Sequence, residues 1–153
     1  MMKGKDFFAK APLTLFAVLF SVTGARAQQA IPYEYGFENN DLAAEGWTTQ
    51  GVTSSNTGIS TNAANSGSRG FRINYSEKDA YLVSPVFTGT DKEIKVSFFY
   101  KEASNQYGDE QFQVGYTTDE TVTDASAFTY GDVVTASTSW QEYSEVFPQA
   151  PSA

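Results

Sequence analysis

The stretch that decides the fold reads Ala80-Tyr-Leu-Val-Ser-Pro-Val-Phe87, a short polar turn, and then Glu93-Ile-Lys-Val-Ser-Phe-Phe-Tyr100. Its second half alternates strictly, and every second side chain from residue 94 to residue 100 is apolar or aromatic. A period of two is typical of a half-buried strand, since a helix would spread these residues around all its sides. Pro85 lacks a backbone donor and belongs at a strand start, an edge or a bulge. We predict that the two halves are neighbouring strands of a β-sandwich.

Similar alternation of apolar and polar residues predicts five further strands, over residues 32–38, 71–75, 111–117, 128–134 and 140–147. The three-residue step from Trp140 to Tyr143 interrupts the alternation and predicts a bulge. Residues 51–70 are rich in Ser, Thr, Asn and Gly, which predicts a long loop with at most an edge strand. No segment has a convincing helical pattern. The fold class is therefore predicted to be all-β, an antiparallel β-sandwich of jelly-roll type.

The N-terminus has the pattern of a secretory signal peptide. Basic residues precede an apolar run, 11–22, which is shorter than the roughly 20 residues of a membrane-spanning helix. Ala25 and Ala27 then supply the small side chains that a signal peptidase accepts. We predict cleavage after Ala27, which leaves residues 28–153 as a single β-domain of a secreted or cell-surface bacterial protein.

The chain is acidic, with 18 Asp and Glu against 10 Lys and Arg and a formal net charge of −8. Loss of the basic leader makes the remaining domain more negative still. Such a surface repels phosphate backbones and anionic lipid, so nucleic acid and membranes are disfavoured as partners. The chain has no Cys and no His, so a domain of this kind outside the cell is held by its core alone or by a metal.

Several short motifs occur in one order along the chain. They are Phe37-Glu38, Gly46-Trp47, the segment Ala80–Pro85, Phe98-Phe99-Tyr100, and Trp140-Gln-Glu-Tyr143 ahead of Phe147-Pro148. In this order they resemble the choice-of-anchor J and cleaved-adhesin domains of secreted Bacteroidetes proteins, a jelly-roll group related to MAM-type domains. The resemblance covers most of residues 33–148.

The resemblance implies a non-catalytic β-sandwich module that serves as an adhesive or accessory part of a larger exported protein. Members of the group continue past the last motif with one or two closing strands, including one with paired acids. The sequence ends at Ala153 without them. We therefore expect a domain that lacks its last one or two strands at the C-terminus, with a complete smaller variant of the fold as the alternative.

Catalysis is disfavoured by composition. Without His or Cys the chain has no Ser-His-Asp triad, no thiol nucleophile and no ordinary zinc site. A pair of carboxylates, as in glycoside hydrolases, is the remaining option. Adjacent acids such as Asp109 and Glu110 point to opposite sides of extended chain, which makes them a poor acid/base pair. We therefore expect a protein that is not an enzyme, with a carboxylate-dependent glycosidase as the least favoured alternative.

Calcium is the metal that the sequence favours. Residues 38–41 read Glu-Asn-Asn-Asp and place four oxygen-bearing side chains in a turn at a strand end. Glu38 and Asp41 are the predicted ligands, and an ordinary capped turn is the alternative. The resemblance also implies a structural ion at Glu38, with partner acids in the closing strands.

Protein or glycan is the predicted partner at the cell surface, with a purely structural spacer as the alternative. Glycan binding requires exposed aromatic rings beside polar side chains. Tyr107 is the first candidate because it lies in a polar loop, and Tyr130 and Trp140 are weaker ones. A large ring within a strand more often belongs to the core.

Overall fold

The computed structural model describes residues 28–88, 93–119 and 121–147. Within them the chain forms twelve short strands: β1 Gln28–Ala30, β2 Thr48–Gln50, β3 Gly58–Ser60, β4 Gly70–Arg72, β5 Tyr81–Val83, β6 Val86–Thr88, β7 Ile94–Tyr100, β8 Gln111–Phe112, β9 Gly115–Tyr116, β10 Thr129–Tyr130, β11 Val134–Thr135 and β12 Gln141–Phe147. Four single-turn 3-10 helices lie between them: Ala43–Glu45, Thr61–Ala63, Asn105–Tyr107 and Ala125–Ala127. The described chain holds no α-helix, and none of its helices is long and apolar enough to cross a membrane. The prediction of an all-β fold is confirmed.

The described strands pair two by two. Five pairs are antiparallel: β2 with β5, β3 with β4, β7 with β12, β8 with β11 and β9 with β10. The sixth pair, β1 with β6, is parallel. The sequence patterns did not predict the pairing of residues 28–30 with β6. The jelly-roll arrangement of the strands stays a prediction.

The ribbon formed by β7 and β12 is the longest paired element. Seven consecutive residue pairs run without interruption from Gln141 opposite Tyr100 to Phe147 opposite Ile94. The strand predicted over residues 94–100 is confirmed, and so is the strand at 140–147 apart from its first residue. The predicted bulge is wrong, because β12 keeps its register throughout. The triple step in the sequence instead reflects a strand that begins one residue later, at Gln141.

The two halves of the stretch from Ala80 to Tyr100 are not paired neighbours, and this prediction was wrong. The first half splits into β5 and β6 on either side of Ser84-Pro85, and these short strands pair with β2 and β1. Pro85 supplies no backbone donor, which accounts for the break. The seven residues of β7 instead find a partner of equal length in β12, where the Phe98 and Tyr143 rings stack directly opposite each other at 4.9 Å.

The strand predicted over residues 32–38 was wrong: these residues form no paired strand with the described chain, and Phe37 has a φ angle of 64°, which is outside the extended region. Alternation of burial is nevertheless present, since Tyr33, Tyr35 and Phe37 are half-buried and the residues between them are exposed. Phe37 contacts the Trp47 ring at 5.9 Å, and the Trp47 indole N–H donates to the Tyr33 hydroxyl at 2.9 Å. Aromatic packing therefore fixes the segment without a ladder.

The strand predicted over residues 71–75 ends at Arg72, earlier than expected. Ile73 and Tyr75 are 49 % and 61 % exposed, whereas Asn74 between them is buried. The polar residue is therefore buried and its two apolar neighbours are exposed. The Asn74 side chain accepts hydrogen bonds from the Ser76 backbone N–H and hydroxyl, at 3.1 and 2.8 Å. Such a local turn competes with strand continuation.

The strands predicted over residues 111–117 and 128–134 are each interrupted. The first divides into β8 and β9, and the second into β10 and β11. Phe112 and Tyr116 are half-buried. Phe112 contacts the Tyr100 ring at 4.8 Å, and Tyr116 contacts the Phe147 ring at 5.3 Å. The core of the described chain thus consists mainly of half-buried aromatic rings.

Candidate functional site

Three predicted site residues are not described in full. Ala25 and Ala27, and with them the signal peptide over residues 1–27, lie outside the described residues. Tyr107 ends the 3-10 helix Asn105–Tyr107, and its side chain is outside the described part of the chain. Signal cleavage and a Tyr107 platform therefore stay predictions.

Glu38 holds a loop. Its carboxylate accepts hydrogen bonds from the backbone N–H groups of Ser68 and Arg69, at 3.0 and 3.1 Å. Gly67 precedes them with φ of 68°, and a Cβ atom there would collide with the Glu38 carboxylate. This close approach, which requires glycine, anchors the end of the polar segment 51–70 to the turn after Phe37.

Asp41 lies one residue before the N-cap of the 3-10 helix Ala43–Glu45 and binds its first turn. Its Oδ1 atom accepts from the Ala44 N–H at 3.1 Å, and the neighbouring Asn39 side chain accepts from the Tyr35 hydroxyl at 2.8 Å. Burial, followed by the negative charge of Glu45, raises the pKa of the Tyr35 hydroxyl. The Glu-Asn-Asn-Asp segment therefore makes the capped turn that was the alternative to a metal site.

The described residues contain no group of three acidic side chains placed to hold a metal ion. Ca²⁺ takes six to eight oxygen ligands, and in this part of the chain the Glu38 and Asp41 carboxylates bind backbone N–H groups instead. Calcium binding stays a prediction, which a comparison of melting temperatures in millimolar calcium and in chelator tests.

Tyr130 is half-buried and anchored at both ends. Its hydroxyl donates to the Ala125 carbonyl at 2.7 Å, and its ring lies across Gly115, the residue opposite it in the β9–β10 pair. Burial, with smaller contributions from Tyr81 and Asp124, raises its pKa. The ring therefore has an evident structural role, and its role as a glycan platform stays a prediction.

Trp140 directly precedes β12. It is half-buried, and the Lys101 Nζ atom lies 5.1 Å from the centre of its ring. A cation over the ring stabilises the pair, and it occupies part of the surface on which a sugar would stack. Ligand binding at Trp140 stays a prediction.

Glu77 makes the densest set of hydrogen bonds to a carboxylate in the described chain. It accepts from the backbone N–H of Ser54 at 2.7 Å, from the Thr53 hydroxyl at 2.7 Å and from the Thr57 hydroxyl at 3.0 Å. The bond from the Ser54 N–H, followed by that from the Thr53 hydroxyl, holds the pKa of Glu77 below its usual range. The turn that leads into β3 is therefore fixed by one carboxylate.

A cleft of about 200 Å³ opens beside this turn. Its lining is polar except for one aliphatic side chain and consists of Ser55, Asn56, Thr57, Gly58, Ile59, Ser60 and Arg72. Sequence patterns did not predict this site. Residues 51–70 were predicted to be a long loop with at most an edge strand, and Arg72 was predicted only to lie in the strand over residues 71–75. The proximity of Arg72 to the loop depends on the β3–β4 pairing, in which Gly58 lies opposite Arg72.

No protein-family model, no curated protein and no solved structure matches this chain.

Proposed function

We propose that this protein is an exported, non-catalytic β-domain that binds a protein or a glycan outside the cell as part of a larger assembly. The observation that carries the binding role is the cleft beside β3. Its lining offers hydroxyl, amide and guanidinium groups but no carboxylate. Polar groups that converge on a concave surface are what a ligand site requires, whereas glycoside hydrolysis requires two carboxylates in the site.

The described acids with the most hydrogen bonds also favour a structural use of carboxylates. Glu38 and Glu77 each accept backbone N–H bonds from a loop distant in sequence. The hydrogen bond from the Ser54 N–H, followed by that from the Thr53 hydroxyl, lowers the pKa of Glu77, which makes this carboxylate a poor proton donor. Export is supported by the basic start, the apolar run and the Ala25-x-Ala27 site of the leader, and by the resemblance to exported jelly-roll domains.

The test begins with expression of the full chain in a secreting bacterium. We expect an exported product that begins at Gln28. The Ala27→Phe variant is expected to keep its leader, because a bulky residue does not fit the peptidase groove. Material that stays in the cytosol with its leader attached would contradict the proposal.

The exported product is then applied to a glycan array and to intact bacterial and host cells, and incubated with a panel of polysaccharides. Retention without release of sugar supports a binding domain. Release of reducing sugar would instead support a glycosidase. Absence of any retention would leave a structural spacer as the better interpretation.

A further inference from the structure

The β3–β4 cleft has one charged residue in its lining, Arg72. Arg72 is half-buried, and its guanidinium makes no hydrogen bond and no ion pair with the described residues. The chain carries 18 acidic residues against 10 basic ones, and on this acidic protein the Arg72 guanidinium is a positive group left available to a ligand. The guanidinium is planar and carries five N–H donors, two of which can bind the two oxygens of a carboxylate at the same time.

The residue opposite Arg72 keeps the cleft open. Gly58 is its direct partner in the β3–β4 pair, so both positions face the same side of the sheet. The φ angle of Gly58 is 150°, a conformation that side chains rarely adopt, and no atom of the described chain lies within 4 Å of the position of a Cβ atom. A side chain at this position would extend from β3 on the same side of the sheet as Arg72.

The other wall of the cleft is fixed in advance. Glu77 accepts hydrogen bonds from the Ser54 N–H and the Thr57 hydroxyl, and the Thr57 Oγ1 atom in turn accepts from the Asn74 N–H at 3.0 Å. A wall held by charge-assisted bonds loses little freedom when a ligand binds. Asn56 and Ser60, which also line the cleft, add amide and hydroxyl groups that suit a ligand rich in hydroxyls.

The volume of the cleft and the net charge of the protein limit the class of ligand that can bind. A volume of about 200 Å³ is below the roughly 300–1,000 Å³ of pockets that enclose a drug-sized molecule, so the cleft suits a single sugar ring. The protein as a whole is negative, with a formal net charge of −8. A long polyanion would be repelled by that surface, whereas one terminal acid on an otherwise neutral chain is not.

We infer that the cleft binds the terminal anionic sugar of an otherwise neutral glycan, with its acid group on Arg72 and its hydroxyls on the turn before β3. This inference rests on the proposed binding function and names its ligand class. A carboxylate and a sulfate ester share the chemistry that a guanidinium recognises. The experiment therefore includes both.

The test measures binding of the exported protein to three immobilised glycans that differ only in the terminal residue, which carries a carboxylate, a sulfate or the methyl ester of the carboxylate. Arg72→Gln should weaken binding to the acid-terminated glycan roughly 10- to 100-fold, as expected for loss of a charged two-point contact. Arg72→Lys keeps the charge but loses the fork and should fall in between. The methyl ester should bind wild type as weakly as the acid binds Arg72→Gln.

Arg69→Gln is the matched control. It changes the net charge by the same amount, but the Arg69 guanidinium donates to Asn40 at 3.1 Å and is not part of the cleft lining. Its affinity should equal that of wild type, and melting curves of all variants report whether each one folds.

Equal affinity of Arg72→Gln and wild type, or of the acid and its ester, would overturn the inference. Retention of neutral glycans or of a cell-surface protein independently of Arg72 would also overturn it, while leaving the proposed function intact. Absence of all retention would overturn both.

Discussion

Phe147 and Phe99 offer a direct test of how the β7–β12 ribbon is stabilised. Both are phenylalanines of the same ribbon, but Phe147 is on the inner face and only 7 % exposed, while Phe99 is on the outer face and 56 % exposed. An aromatic side chain of this size has about 200 Å² to bury, and each Å² stabilises the fold by about 25 cal/mol. Burial thus contributes about 4–5 kcal/mol at Phe147 and about 2 kcal/mol at Phe99.

The unfolded chain is itself partly compact, which reduces both values by about 10–40 %. We therefore expect Phe147→Ala to lower the free energy of unfolding by about 3–4 kcal/mol and Phe99→Ala by about 1–2 kcal/mol. A loss of 3–4 kcal/mol is a large fraction of the roughly 5–15 kcal/mol by which a domain is stable.

Urea unfolding of the purified variants, followed by circular dichroism and by Trp fluorescence, measures the difference. Both substitutions remove the same ring from a strand, so the change in intrinsic strand preference cancels between them. Equal losses of stability in the two variants would refute the assignment of an inner and an outer face to the ribbon.

Two further predictions concern a carboxylate and a glycine. Glu77→Gln should destabilise the protein at neutral pH, because the ionised carboxylate accepts the Ser54 N–H. The pKa of Glu77 in the folded protein lies below its ordinary value of 4.5, so the stabilisation is present above pH 4.5 and is lost as the pH falls through the folded pKa. The unfolding midpoints of wild type and variant should therefore converge in acid. A difference between the midpoints that does not change with pH would contradict this role of Glu77. Gly115→Ala should lower the free energy of unfolding by about 1–3 kcal/mol, because its Cβ atom would lie 2.5 Å from the Tyr130 ring. Gly36→Ala, whose Cβ atom would meet its nearest neighbour at 3.7 Å, is the control in the same denaturation assay, and an equal effect of the two substitutions would be inconsistent with a closed contact.

Strict alternation was sufficient to predict strands and their faces but not their partners. Residues 94–100 form β7 as predicted, since a period of two is a local property of the chain. The partner of β7 is more than forty residues away in the sequence, and many short strands offered a compatible face. Pairing is decided by matched length and by cross-strand contacts such as Phe98 with Tyr143, which no local pattern encodes.

At Asn74 a local hydrogen-bonded turn ends the strand that the alternation of residues predicted. Its neighbours alternate with it as if in a strand, but its side chain binds the Ser76 backbone and turns the chain. Asn is known to form such turns, so the sequence was compatible with a turn at this position. It did not show whether the turn or the alternating strand would be the more stable. At Glu38 the sequence indicated a carboxylate in a special position. The partners of that carboxylate, the N–H groups of Ser68 and Arg69, are thirty residues away and required the structure.

The candidate site lies in a segment with few apolar side chains that could enter the core. Residues 51–70 contain few large apolar side chains, so hydrophobic burial cannot order them. Two carboxylates do so instead, with Glu77 at the beginning of the segment and Glu38 at its end. A segment ordered by hydrogen bonds keeps its remaining hydroxyl and amide groups at the surface, and the β3–β4 pairing brings Arg72 among them. The polar composition of this segment prevents it from contributing to the core. The same composition provides the hydroxyl and amide groups that could bind a hydroxyl-rich ligand.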